Sequence, residues 1–243
     1  MSADIIFYTN PQSRGQIVRW MLEELAEPYD TVLLDYGATM KSAEYLAINP
    51  MGKVPAIVHK GHVVTEGAAI CAYLAEAFPE AGLKPGQDAL ADYYRWIFFV
   101  AGPVESAFSN QAAGFVPPED KQRMMGYGTF DLTIDTLEKA VTGKSYIAGD
   151  RFSAADVYVG SMINFLTMFG MLETRPAFTA YVGGLTARPA YLRAKEIDAA
   201  LIAERRRPPP ARFLPRQTGF SAVALWLVCV RGGRRRRLAV AGQ

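Results

Sequence analysis

Three short segments hold residue types and spacings that can do chemistry. Residues 10–14 (NPQSR) form a turn between a short apolar run and a helical pattern. There Ser13 can serve as a helix N-cap. Its hydroxyl and the free amides of a helix start can also stabilise a thiolate. Residues 52–56 (GKVPA) place a proline at the opening of an apolar strand, where it cannot donate to the ladder. Either this is an ordinary trans edge proline, or a cis Val54–Pro55 bond turns the chain. The second case leaves the Val54 N–H and C=O facing outward, open to an extended peptide ligand added as a strand. Residues 65–67 (TEG) head a third helical pattern. Amides at a helix start bind a carboxylate and Glu66 can receive an ammonium, which together suit the zwitterionic head of an amino acid. A plain helix cap is the alternative.

The elements that position these segments follow from periodicity. Residues 4–8 (DIIFY) read as a buried strand stopped by Thr9-Asn10-Pro11. In the first helix Ile17, Trp20, Met21 and Leu25 recur at steps of three and four, with Arg19, Glu23 and Glu24 on the other side. Residues 29–34 return to strand character, and 41–47 predict one or two helical turns. Two apolar runs, 54–58 and 62–64, flank Lys60-Gly61 as a hairpin, and a helix follows over 66–78. The order β-α-β-α-β-β-α predicts a small α/β layer with helices on both faces of a mixed sheet. Beyond a Pro/Gly-rich linker at 79–88, strand signals vanish. Residues 93–108, 119–141, 154–169, 177–186 and 189–204 all read as helices. The domain reading is 1–78, linker 79–88, an all-helical domain 89–207, and a basic tail 208–243, non-native or disordered.

The chain has 243 residues, half of them apolar, with 21% charged. Those are globular values and argue against wholesale disorder. Cysteines at 71 and 229 exclude a disulfide-rich scaffold and any CxxC pattern. His59 and His62 have no cysteine nearby, so no metal is expected, and both read as solvated residues at the hairpin turn. Cys71 reads as core. Of the 26 basic side chains, ten arginines lie in 205–243, which holds no acid, leaving 16 against 24 acids in the body. An acidic body is a poor nucleic-acid surface. The apolar run 220–230 is too short to span a membrane, which takes ~20 residues. The N-terminus lacks a signal-peptide pattern, so the expected location is cytoplasmic.

The segments FYTNPQSRG near the start, NPMGKVPAI at 49–57, TEGAAICAYL at 65–74 and GDRFSAADV at 149–157 occur in an order and spacing that resembles the glutathione S-transferase family. The resemblance covers residues 4–204. It implies a thioredoxin-like N-terminal domain, an all-α C-terminal domain and a homodimer. It implies glutathione as co-substrate and a small hydrophobic electrophile as second substrate. Val54 would pair its backbone with the cysteinyl part of glutathione. Glu66 and the Gly67 N–H would hold the γ-glutamyl head, and Lys53 would approach the glycyl carboxylate. Ser13 stands where serine- and cysteine-type bacterial members face the sulfur; anchored on tyrosine-type members, Asn10 takes that place. Tyr8 ends the strand. Ser153 and Asp156 match the family's capping box, a folding element.

One residue departs from the pattern. The family has a serine after the glutamate, and Gly67 keeps the amide but loses the hydroxyl. A hydrogen bond to a charged group is worth ~1.5–3 kcal/mol. Low glutathione affinity is expected unless another group substitutes. The expected reaction is conjugation of glutathione thiolate to small apolar electrophiles. Rival readings are a glutathione-dependent isomerase, peroxidase or dehalogenase on the same fold, and a non-catalytic scaffold.

Overall fold

The structure, a computed structural model, describes residues 3–206, which lie within one compact unit, Met1–Arg207. The basic tail and Cys229 lie outside the described residues. Four strands, β1 (Ile5–Thr9), β2 (Tyr29–Leu33), β3 (Ala56–His59) and β4 (His62–Thr65), form one sheet in the order β2-β1-β3-β4. β1 runs parallel to β2 and antiparallel to β3, and β3 and β4 close as a hairpin. Helix α1 (Gly15–Leu25) makes the crossover between the parallel pair, and α3 (Gly67–Ala77) follows β4. A 3₁₀ turn (Thr39–Lys41) and the short α2 (Ala43–Leu46) lie between β2 and β3.

Alternation along the strands divides two cores. Ile5, Phe7 and Ile57 enter the main core with α1, α3 and the helical domain. Tyr8, Val32 and Ala56 meet Leu34, Met40 and Tyr45 in a smaller cluster with the α2 segment. This is the thioredoxin-like layer that the resemblance implies.

The second half is helical: α4 (Gln87–Phe99), α5 (Glu105–Ala112), α6 (Phe130–Val141), α7 (Ala154–Met168), α8 (Pro176–Thr186) and α9 (Pro189–Arg206). A π-helical stretch, Val100–Val104, joins α4 to α5 and contains Pro103. Proline lacks the N–H and clashes with the preceding turn, and a wider turn accommodates it. The single helix expected over 119–141 is divided into a 3₁₀ stretch (Glu119–Met124) and α6. Gly128 turns the chain at φ +65° and the Thr129 hydroxyl accepts the Leu132 N–H at 3.2 Å, so α6 starts afresh there.

At the start of α7 the Asp156 carboxylate reaches back to the Ser153 N–H at 2.9 Å. It also accepts from the Ile147 N–H (2.7 Å) and the Tyr181 hydroxyl (2.7 Å), tying α7 to α8. Two further expectations concern burial. Cys71 is fully buried on α3, and burial pushes its thiol up to about 12, so it is core rather than nucleophile. His59 is not solvated: it is 4% exposed, packs on Phe78 and has Nδ1 2.9 Å from the Tyr73 hydroxyl. The end of α3 folds over this side of the hairpin, which the local turn signal does not show.

Candidate active site

The loop before β3 is built from its own carbonyls. The Tyr45 hydroxyl (2.5 Å) and Asn49 Nδ2 (2.8 Å) both donate to the Lys53 carbonyl. Asn49 Oδ1 accepts the Met51 N–H, and Lys41 Nζ donates to the Met51 and Gly52 carbonyls at 3.0 Å. Burial pushes the Tyr45 phenol up to about 12, so it stays a donor. The loop presents Val54 ahead of a cis Val54–Pro55 bond. Among the described residues neither the Val54 N–H nor its C=O has a hydrogen-bond partner. The Lys53 side chain is exposed.

Register brings the second segment alongside. Ala56 pairs with Thr65, so Val54-Pro55 and Glu66-Gly67 leave the same end of the hairpin. Glu66 is exposed and sits at φ +66°, ψ +118°. That conformation costs a non-glycine residue ~1–3 kcal/mol and is concentrated at functional sites. Gly67 is the first residue of α3, with its amide at the positive end of the helix. A Cβ at position 67 would lie 4.0 Å from Pro55 and 3.6 Å from the ring of Tyr158 on α7.

In the turn into α1, Asn10 is buried and both ends of its amide are used. Nδ2 donates to the Leu34 carbonyl (2.8 Å) and Oδ1 accepts the Gln12 N–H (2.9 Å). The Ser13 hydroxyl donates to the Asn10 carbonyl (2.6 Å) and accepts the Gly15 N–H (2.9 Å). The Arg14 N–H has no hydrogen-bond partner among the described residues. The Arg14 guanidinium bridges to Glu105 on α5 at 2.7 Å.

Ser13 and Arg14 also line a cleft of about 430 Å³ against α7 and α9. Trp20, Phe165, Phe169 and Tyr191 contribute aromatic surface to it. Phe165 and Phe169 have ring centroids 4.6 Å apart, and Trp20 and Tyr191 meet edge-on at 5.0 Å. Among the described residues its lining contains no carboxylate. Asn164 Nδ2 donates to the Tyr191 hydroxyl (3.0 Å), and Lys195 Nζ to Gln16 Oε1 (2.9 Å).

The structure therefore places Lys53, Val54, Glu66 and Gly67 at one end of the hairpin, with Ser13 on the neighbouring turn. Asn10 is a buried strut of that turn. Sequence reasoning pointed to the amides of this helix start without singling out that of Arg14, and it missed Tyr45 and Asn49, which hold the loop, and the approach of Tyr158 to Gly67. The Asn49-Pro50 turn signal points to Asn49; nothing local points to Tyr158.

A family model described as the glutathione S-transferase N-terminal domain matches residues 13–77. A glutathione S-transferase of Xanthomonas campestris pv. campestris is 31% identical over 208 residues, 81% of this chain and 97% of that protein. Glutathione S-transferase A of Pleuronectes platessa is 30% identical over 192 residues, covering 69% and 80% of the two chains. A solved glutathione transferase homologue from Sulfitobacter, with bound glutathione, superposes with a TM-score of 0.65 at 28% identity, covering 80% of this chain and 98% of that one. The chain belongs to the glutathione S-transferase family and is a glutathione transferase.

Proposed function

We propose that the enzyme binds glutathione along the hairpin end and transfers its thiolate to a small apolar electrophile held in the cleft between α1, α7 and α9. The observation that carries this reading is the pair of unpartnered Val54 backbone groups at the hairpin end from which α3 also starts. The cysteinyl backbone of glutathione adds there as one rung of a strand. Glu66 and the Gly67 N–H take the γ-glutamyl head, and Lys53 takes the glycyl carboxylate. Ser13 faces the sulfur together with the Arg14 amide, while Asn10 shapes the turn. A free thiol of pKa ~8.5 is mostly protonated at neutral pH, so donors to the thiolate raise the reactive fraction. The aromatic cleft next to Ser13 brings the electrophile to it. In this reading the enzyme is a cytoplasmic homodimer and needs no metal.

Calorimetric titration with glutathione, followed by a panel of aryl halides, epoxides, enones, peroxides and haloalkanes, tests the reading. Saturable binding and conjugation with at least one apolar electrophile are expected. Turnover confined to peroxides, isomerisable enones or halide release would assign the rival chemistry on the same fold. Absence of binding at millimolar glutathione would leave a scaffold.

A further inference from the structure

We propose that the hydroxyl of Tyr158 donates a hydrogen bond to the α-carboxylate of the γ-glutamyl residue, in the place where a serine at position 67 would donate. The proposal rests on the glutathione reading above and explains how the site works without that serine.

The backbone does not require glycine at 67, because its φ is ordinary for a helix start. The direction in which a side chain at 67 would extend is faced instead by the ring edge of Tyr158, 3.6 Å from the position of such a Cβ. Tyr158 is only 8% exposed, yet its hydroxyl has no hydrogen-bond partner among the described residues. Tyr181 and Tyr191 in the adjoining helices have partners in Asp156 and Asn164, and the Tyr93 hydroxyl on α4 is sealed from solvent without one, whereas the Tyr158 hydroxyl is not sealed in. A hydroxyl left open beside a helix start is available to a ligand acceptor. Burial raises its pKa, with Cys71, Glu105 and Glu66 acting the same way and Arg14 opposing, so it remains a protonated donor. Packing alone would be served by phenylalanine. Ser161 and Phe165 follow Tyr158 at three and seven residues, on the same helical stripe, and both line the electrophile cleft. One face of α7 thus touches both substrate positions.

Calorimetry on the full chain, Tyr158→Phe, Gly67→Ser and the double variant tests this, with two ligands. One is glutathione; the other is γ-aminobutyryl-cysteinyl-glycine, which lacks the α-carboxylate. Tyr158→Phe should weaken glutathione about tenfold, the equivalent of ~1.4 kcal/mol, and leave the affinity for the decarboxylated ligand unchanged. Adding Gly67→Ser to Tyr158→Phe should restore most of the glutathione affinity. Thermal melting should match the parent, because the phenyl ring keeps the packing and no internal hydrogen bond is removed. Glutathione binding by Tyr158→Phe equal to the parent's would overturn the assignment. So would an equal loss for both ligands, which would mean disturbed packing. A parent chain that binds neither ligand overturns the glutathione reading itself, which separates the two failures.

Discussion

The Ser13 hydroxyl carries two roles in one turn. Its proton lies on the Asn10 carbonyl and its oxygen accepts the Gly15 N–H. To face a thiolate it must rotate off the carbonyl. Ser13→Ala should therefore raise the pKa of bound glutathione by about one to two units, the worth of a bond to a charged acceptor. The structure makes Arg14 and not Ser13 the N-cap of α1, so the stability lost, ~1 kcal/mol, is that of the hydrogen bond from the Gly15 N–H. Asn10→Ala should behave differently. It leaves the Leu34 carbonyl and the Gln12 amide without partners, so it should cost stability and leave the pH–rate profile in place. The two profiles, measured from pH 6 to 9, separate the roles. An unmoved profile in Ser13→Ala would assign the thiolate to backbone donors such as the Arg14 amide. Gly67 was legible as a departure from the family pattern, because a missing hydroxyl is a local fact. Tyr158 was not, because its place beside Gly67 arises only when α7 packs on α3.

Two elements make demands that a single substitution can probe. Helix α1 approaches β1 so closely that a Cβ on Gly15 would lie 2.0 Å from Thr9 Oγ1. Gly15→Ala should cost ~1–3 kcal/mol by overpacking, read as a lower urea midpoint. Thr9→Ala in the same chain should recover part of that loss; a midpoint equal to the parent's in Gly15→Ala would mean that α1 moves freely. The β3–β4 hairpin carries a pH dependence. Burial, then Lys60, lowers the His59 pKa below its ordinary 6.5, so the folded state keeps the ring neutral. The unfolded chain takes up the proton first as pH falls. The stability this group contributes is whole above about pH 6.5 and is lost as pH falls through its lower folded value. The drop in urea midpoint between pH 7 and pH 5 should shrink in His59→Gln. An unchanged drop would show that the ring is not held neutral. The hairpin itself was legible from Lys60-Gly61 between apolar runs. The burial of His59 was not, because Phe78, on the far end of α3, covers it.

At the scale of the molecule, α1 joins the two halves. Its polar face, which sequence periodicity assigned away from the apolar stripe, is an interface with α9 and the turn that leads into it. Glu24 receives Arg188 in a two-bond fork (2.7 and 2.8 Å), and Glu23 meets Arg193 at 3.3 Å. Arg19, 1% exposed, meets the buried Asp198 at 3.3 Å and donates to Tyr29 and Thr31 on β2. Burial raises the Asp198 pKa and Arg19 opposes it. Arg19→Met leaves that carboxylate buried without its partner and should cost ~3–5 kcal/mol, whereas Arg19→Met with Asp198→Leu should recover much of it. Denaturant midpoints check this; a single-variant loss below ~1 kcal/mol would mean that water replaces the arginine. The sequence by itself determined the order of elements in the first half, the helical character of the second half without its breaks at 100–104 and 125–129, and the turns at which the candidate site lies. Periods of 2 and 3.6 and the Pro and Gly punctuation are local, and they survive without neighbours. Only the tertiary structure decided which polar residues are buried and which side chains meet. Arg19 and Asp198 are 179 residues apart in the chain, and a charged residue on a helix looks the same in the sequence whether water or a second helix faces it.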